Sequence, residues 1–292
     1  MVPAADREPA LRSPLLPVLP ALAVLALLFY GALALSAARS LGIPPAPGLD
    51  FPSLAPWRLV LSDPAVWRSA GLSLWISAVS TALSAMLAFG VAVLIRQAPA
   101  GRPVLGFLLR LNLTVPHLVG AAGMLFLWAQ SGLAARVALA AGLIDGPAAF
   151  PALIWDPWAL GIVLVYVWKE APFIALILLA QSGPADAARE DTARTLGASR
   201  LQVIRHVTLP SLLPGLAAAS AIVFAFTFGA YEVPLLLGAS DPVALPVLAW
   251  QRFTDPDLAA RPQAMALALL VALLSAAAIL VHLGAVRRLR AW

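Results

Sequence analysis

A chain of 292 residues that is 62% hydrophobic and only 11% charged, with a mean hydropathy of +0.92, is excluded from the soluble globular class, in which about 25% of residues are charged. The net charge of +5 does not point to nucleic acid, because the basic residues are scattered between apolar runs instead of gathered on one face. The absence of cysteine excludes disulfides, thiolate catalysis and Cys-type metal sites, and it leaves the redox compartment unread.

The chain therefore reads as all-α and polytopic, and its elements follow in order. After a short polar tail with Arg7 and Arg12, an apolar run over residues 15–38 is long enough to cross a bilayer. A cleavable signal peptide is the rival, with Ala32, Leu33 and Ala34 as its small-residue site, but the run exceeds the usual core of about 7 to 15 residues. Residues 39–67 are rich in Pro and Gly, carry Arg39, Asp50, Arg58 and Asp63, and place Trp57 and Trp67 where interfacial aromatics belong, so they are expected outside. A second span over 72–94 ends at Arg96 and Arg102. A third over 104–129 is bent by Pro116, and a mixed external segment over 131–156 has a short helix near 133–143. A fourth span covers 158–181 and a fifth 216–237. The external segment 238–262 follows, with Asp241, Asp255 and Asp257 against Arg252 and Arg261, and a sixth span over 264–285 runs into Arg287, Arg288 and Arg290. Counting basic residues by side puts both termini, the 96–102 turn and the loop 183–215 in the cytoplasm. Residues 1–67 form a peripheral unit and 68–292 the core.

The loop between the fourth and fifth spans, GPADAAREDTARTLGASRLQVIRHVTLPSLLPG, gathers acids, arginines and a histidine. Pro184 opens a helix that good formers carry to Leu196, and Gly197 stops it with a left-handed conformation. Ser199 and Gln202 make a capping box for a second helix, expected to end at Pro210 and Pro214. The expectation is helix, glycine elbow, helix.

Asp191, Thr192 and Ala193, then Gly197, then Val207, Leu209 and Pro210 keep the spacing E-A-A, three residues, G, nine residues, I-x-L-P. This resembles the cytoplasmic loop of inner-membrane permeases of type I ABC importers, with Asp for Glu, Thr for Ala and Val for Ile. The resemblance runs from about residue 70 to the end. The motifs WKEAPF and FAFTFGAYEVPLLLG place it with the branch serving polyamines, sulfate, molybdate, iron and phosphonates. It implies that the loop is a coupling helix for an ATPase, with Arg189, Glu190, Asp191 and Arg194 as a polar rim and Ala187, Ala188, Ala193 and Leu196 as a small, apolar centre. A helix lying flat on the bilayer would also suit the charge, but it requires neither this glycine nor a Leu-Pro exit.

Lys169 and Glu170 fall midway along the fourth span, where an ionisable group costs a few kcal/mol unless it finds a partner or water. Being adjacent, they point to different sides of the helix, and Pro172 removes a backbone donor nearby. They either line a translocation path or pair with a neighbouring helix and fix it. Tyr231 and Glu232, before Pro234, lie towards the outer end of the fifth span, where the acid either attracts a cationic solute or finishes the helix. His117 is expected to be a hydrogen-bonded group inside the bundle; the three histidines are too dispersed for a metal site, and no catalytic cluster or GxxxxGK[ST] loop occurs.

The resemblance therefore implies a permease of a bacterial inner membrane that is not itself an enzyme and carries no cofactor. ATP and Mg would belong to a separate ATPase dimer. A second permease subunit, identical or not, would complete the pore, and an external solute-binding protein would deliver a small solute. A secondary transporter using Lys169 and Glu170 as a proton relay is the alternative; it calls for inverted repeats and matching broken helices, which the sequence does not display.

Overall fold

The computed structural model describes residues 18–43, 52–97 and 102–290. The tail with Arg7 and Arg12, the loop stretch with Asp50 and the side chains of Arg102, Arg287, Arg288 and Arg290 lie outside the described part.

Among the described residues there are α-helices and no strands. They are α1 (Leu19–Ser40), α2 (Ala55–Ser62), α3 (Pro64–Gln97), α4 (Arg102–Thr114), α5 (His117–Trp128), α6 (Leu133–Ala140) and α7 (Leu160–Gln181), then α8 (Pro184–Thr195), α9 (Arg200–Val203), α10 (Leu209–Gly229), α11 (Glu232–Leu237), α12 (Leu245–Phe253) and α13 (Arg261–Arg290). Six helical runs are long and apolar enough to cross a membrane: Leu19–Ser40, Pro64–Gln97, His117–Ala140, Leu160–Gln181, Arg200–Gly229 and Leu258–His282.

The centre of the bundle is α3, packed most extensively on α7 and also on α10 and α12. Its buried face reads Ser73, Ser77, Ser80, Ser84, Ala88 and Ala92, three or four residues apart, so one stripe of small side chains lets the neighbouring backbones come close. Ala88 and Ala92 meet Ile174, Ala175 and Leu178 of α7 and Leu212, Ala219 and Val223 of α10 in one core cluster. A second cluster joins Ile76, Ala121, Ile162, Tyr166 and Val233, and a third joins Val66, Leu245 and Leu267. By contrast α1 rests on α13 and leaves Leu25, Leu27, Phe29 and Tyr30 exposed, as a helix in contact with lipid would.

Two expectations need correction. The third span is not one bent helix over 104–129: it breaks at Val115–Pro116 into α4 and α5, and the apolar run continues to Ala140. The fifth span does not begin at 216 or reach 237. The second loop helix runs through both prolines into α10, which ends at Gly229, and Glu232 opens the separate α11. The passage through Pro210 is made possible by a π turn over Ile204–Thr208, in which the Leu209 N–H bonds to the Ile204 carbonyl five residues back. Pro210 then falls in the first turn after that shift, where a missing donor matters least.

Because Ala88 is fully buried, Ala88→Leu should overpack the α3–α7–α10 seam and cost about 1–3 kcal/mol, read as a lower unfolding temperature of the purified chain in detergent. Met86→Leu, at a position 72% exposed on the same helix, should leave that temperature nearly unchanged.

Candidate functional site

The polar loop follows its sequence as far as the start of its second helix. Asp186 accepts the Gly183 N–H at 3.1 Å to start α8, behind Pro184 at the first helical position. At the other end Gly197 has φ +87°, with its N–H bonded to the Arg194 carbonyl and the Ala198 N–H to that of Ala193, the paired bonds of a Schellman stop. Ser199 and Gln202 then close the capping box: the Ser199 N–H donates to Gln202 Oε1 at 2.7 Å, and the Gln202 N–H to Ser199 Oγ at 3.4 Å.

On α8, Ala187, Ala188, Arg189, Asp191, Thr192 and Arg194 are exposed and Ala193 is half-buried. Arg189 pairs with Asp186 and Arg194 with Asp191 along the surface. Leu196, 83% exposed, and Leu201, 73% exposed, flank the elbow as bare apolar side chains. Between α8 and α9 a cleft of about 350 Å³ is lined by Leu196, Gly197, Gln202, Val203, His206 and Val207. Val207 and Leu209 are half-buried and Pro210 exposed, in the π turn and the start of α10. Glu190 departs from the expected rim. It is only 7% exposed and turned inward, with Oε1 accepting from Arg96 Nη2 and from Thr208 Oγ1, each at 2.7 Å.

The intramembrane charges straddle the break between α4 and α5. Pro116 has no N–H, so the carbonyl of Asn112, four residues back, loses its ordinary helical donor. There the Val115 N–H reaches Asn112 O at 3.2 Å, and Lys169 Nζ adds the second donor at 2.7 Å while also donating to Val115 O at 2.6 Å. Pro172 leaves the Trp168 carbonyl of α7 in the same position, and Asn112 Nδ2 donates to it at 3.2 Å. Each of the two prolines thus takes the ordinary donor from a carbonyl of one helix, and a side chain of the other helix donates to that carbonyl. On the far side of the break, Glu170 Oε1 lies 2.8 Å from His117 Nε2 at the first residue of α5, and the His117 ring packs on Phe226. The cation thus sits at a helix C-terminus and the carboxylate at a helix N-terminus, each the sign that the helix end favours.

Tyr231 and Glu232 are both exposed where α10 gives way to α11. Tyr231 stacks on Trp250 with ring centroids 5.7 Å apart and helps to line an apolar cleft with Phe253 and Met265. Among the described residues no hydrogen bond joins this pair to Lys169 and Glu170. Arg96, Ser182 and Thr208 are the functional candidates that spacing missed; Arg96 counted only as a topology signal, and no local pattern links it to a partner 94 residues away.

The family described as binding-protein-dependent transport system inner membrane component matches residues 81–291. The chain belongs to this family. Among its relatives, the molybdenum transport system permease protein ModB of Mycobacterium tuberculosis is 30% identical over 238 residues, covering 80% of this chain and 83% of that one. A probable molybdenum ABC transporter permease protein of Haloferax volcanii is 32% identical over 215 residues, 70% of this chain and 72% of its own. A bacterial alginate ABC transporter, solved in complex with an alginate pentasaccharide-bound periplasmic protein, has a chain that matches with a TM-score of 0.75 over 94% of this chain and 93% of its own, at 17% identity, a likeness of fold. This membrane-spanning family member is a permease subunit of an ABC importer.

In this permease, Lys169→Met should leave the Val115 carbonyl without a donor and Asn112 O with the Val115 N–H alone, at a cost of about 1–3 kcal/mol, and lower the unfolding temperature in detergent. Adding Pro116→Ala should return part of that loss, since an alanine N–H can again serve Asn112 O. Equal melting of Lys169→Met and wild type would contradict the repair.

Proposed function

We propose that α8 and its glycine elbow form the docking element for a separate ATP-hydrolysing subunit, and that this chain supplies half of a pore completed by a second permease, identical or not. A solute-binding protein outside delivers a small solute, and ATP and Mg act on the ATPase dimer. The observation that carries this reading is the pair of bare leucines, Leu196 and Leu201, beside an open cleft at the tip of an otherwise charged loop. Exposed apolar side chains ringed by charge are the pattern of a surface waiting for a protein partner. Ala187, Ala188 and Ala193 keep the contact face low, so a partner can approach the helix closely, and Arg189, Asp191 and Arg194 stand at its edge.

The orientation is part of the proposal: both termini and α8 in the cytoplasm of a bacterial cell, the segment around α12 outside. Residues 1–67 act as a peripheral unit, a reading supported by the way α1 rests on α13, and 68–292 act as the core. Lys169 and Glu170 serve the bundle by holding the α4–α5 break, whereas Tyr231 and Glu232, exposed beside an apolar cleft, are the better placed of the two pairs to meet a passing solute.

Docking is tested at Gly197. Its φ of +87° is costly for a β-branched residue, by roughly 1–2 kcal/mol, so Gly197→Val should re-aim α8. At matched permease levels in the membrane, ATPase recovered on pull-down and solute uptake should both fall; wild-type recovery with full uptake would remove the loop from this role. For topology, a reporter active only in the cytoplasm should work when fused after Arg290 or within residues 185–205 and fail within 241–257. Activity from that last segment would invert the arrangement.

A further inference from the structure

Helix α8 contains no large apolar residue between Pro184 and Thr195, so hydrophobic burial cannot hold it against the membrane-spanning helices. Its one buried side chain is the carboxylate of Glu190. Oε1 of that carboxylate accepts from Arg96 Nη2 in the last turn of α3 and from Thr208 Oγ1 at the end of the π turn that leads into α10, both at 2.7 Å. Arg96 Nη1 donates in turn to Ser182 Oγ at 2.9 Å, and the Ser182 hydroxyl donates to the Leu178 carbonyl of α7 at 2.8 Å. Arg194 Nη2 adds a longer contact to Glu190 Oε2 at 3.8 Å. The side chains of Arg96 and Glu190 are 12% and 10% exposed, so the pair is shielded from water and ionic screening in a way that the surface pairs of α8 are not. Beside it the Arg200 guanidinium donates to Gln97, a second tie between α3 and the loop.

We infer that Glu190 is the positioning residue of the coupling loop: through Arg96 and Thr208 it makes α8 move as one body with the ends of α3, α7 and α10. The inference rests on the reading that α8 docks on an ATPase. A displacement imposed on α8 reaches the spans only if α8 cannot pivot about its two ends, the Ser182–Gly183 junction and the Gly197 elbow. The carboxylate lies between those ends and removes the pivot. Its polar bonds also suit the task better than apolar contacts would, because directional bonds resist sliding and pivoting when a load is placed on α8. With Glu190 turned in, its neighbours Arg189 and Asp191 are turned out.

The test uses the whole importer in proteoliposomes, with its ATPase and binding protein, every value being expressed per permease recovered. ATPase bound, ATP hydrolysed and solute taken up are measured for wild type, Glu190→Gln, Thr208→Val and Arg96→Met. The expected result is near-normal ATPase recovery, because the outward face of α8 is untouched, with ATP consumed per solute raised about tenfold for Glu190→Gln and Arg96→Met and less for Thr208→Val, which strands no charge. Glu190→Asp, which keeps the charge, should recover part of the wild-type ratio; a residue that only stabilised the fold would change the amount of permease and not this ratio. A wild-type ratio in both Glu190→Gln and Arg96→Met overturns the inference. If Gly197→Val strips the ATPase while those two variants keep the wild-type ratio, docking stands and the clasp fails; if Gly197→Val retains both ATPase and uptake, the docking reading fails and the clasp with it.

Discussion

Inside a bilayer there is no water to take up a backbone donor or acceptor, so any interruption of a membrane-spanning helix must be repaired by the protein itself. The interruption at Val115–Pro116 is the place where this permease meets that requirement most directly. Lys169 supplies the N–H that Pro116 lacks, and Asn112 supplies the one that Pro172 lacks. Neither repair is possible without the other helix at the right depth and rotation. The two prolines therefore fix the register of α4 against α7. The cost of burying an ammonium group is offset because it bonds two carbonyls at a helix end whose dipole already favours a cation.

The same logic recurs at the edge of the bundle with the sign reversed. There the chain leaves the spans through a π turn instead of a clean break, and the buried charge is a carboxylate, Glu190, that accepts from one side chain on each flank. Between these two polar points the contacts are of another kind: a stripe of serines and alanines on α3 against α7 and α10, which gives close approach but little resistance to sliding. In that stripe the Ser77 hydroxyl donates to the Ser73 carbonyl and the Ser73 hydroxyl accepts from the Leu245 N–H, while the hydroxyls of Ser80 and Ser84 have no hydrogen-bond partner among the described residues. Small side chains set how near the helices come. The charged pairs set where along their axes they stop.

Much of this was legible in the sequence because it depends on local spacing. The apolar lengths indicate six spans, and Pro184, Gly197 and Ser199 with Gln202 mark both ends of the first loop helix and the start of the second to within a residue. What could not be read depends on partners far along the chain. Pro210 and Pro214 looked like a stop, and they are one only if the bond ladder keeps its ordinary register; the π turn at Ile204–Thr208 changes that register. Tyr231 and Glu232 looked like part of the fifth span because the composition stays apolar to Leu237, yet the helix ends at Gly229 with nothing in the hydropathy to mark it. The direction of Glu190 was equally hidden. One acid among five charged residues on a short polar helix has no local reason to face inward until Arg96, from another helix, is beside it.

That direction also bears on the least typical feature of the loop, the aspartate at 191 where the resembling permeases have glutamate. Successive residues of an α-helix are turned about 100° apart, so a buried Glu190 obliges Asp191 to look outward. Its side chain is 71% exposed and, among the described residues, pairs only with Arg194 on its own helix. The shorter acid therefore leaves every bond that holds α8 to the spans untouched, and it shortens only what α8 presents to solvent. Had the substitution fallen one residue earlier, the carboxylate would have been drawn back by a methylene from both Arg96 and Thr208. The chain tolerates the loss of length where an external surface can adapt to it, and keeps the full glutamate where two fixed helices must be bridged.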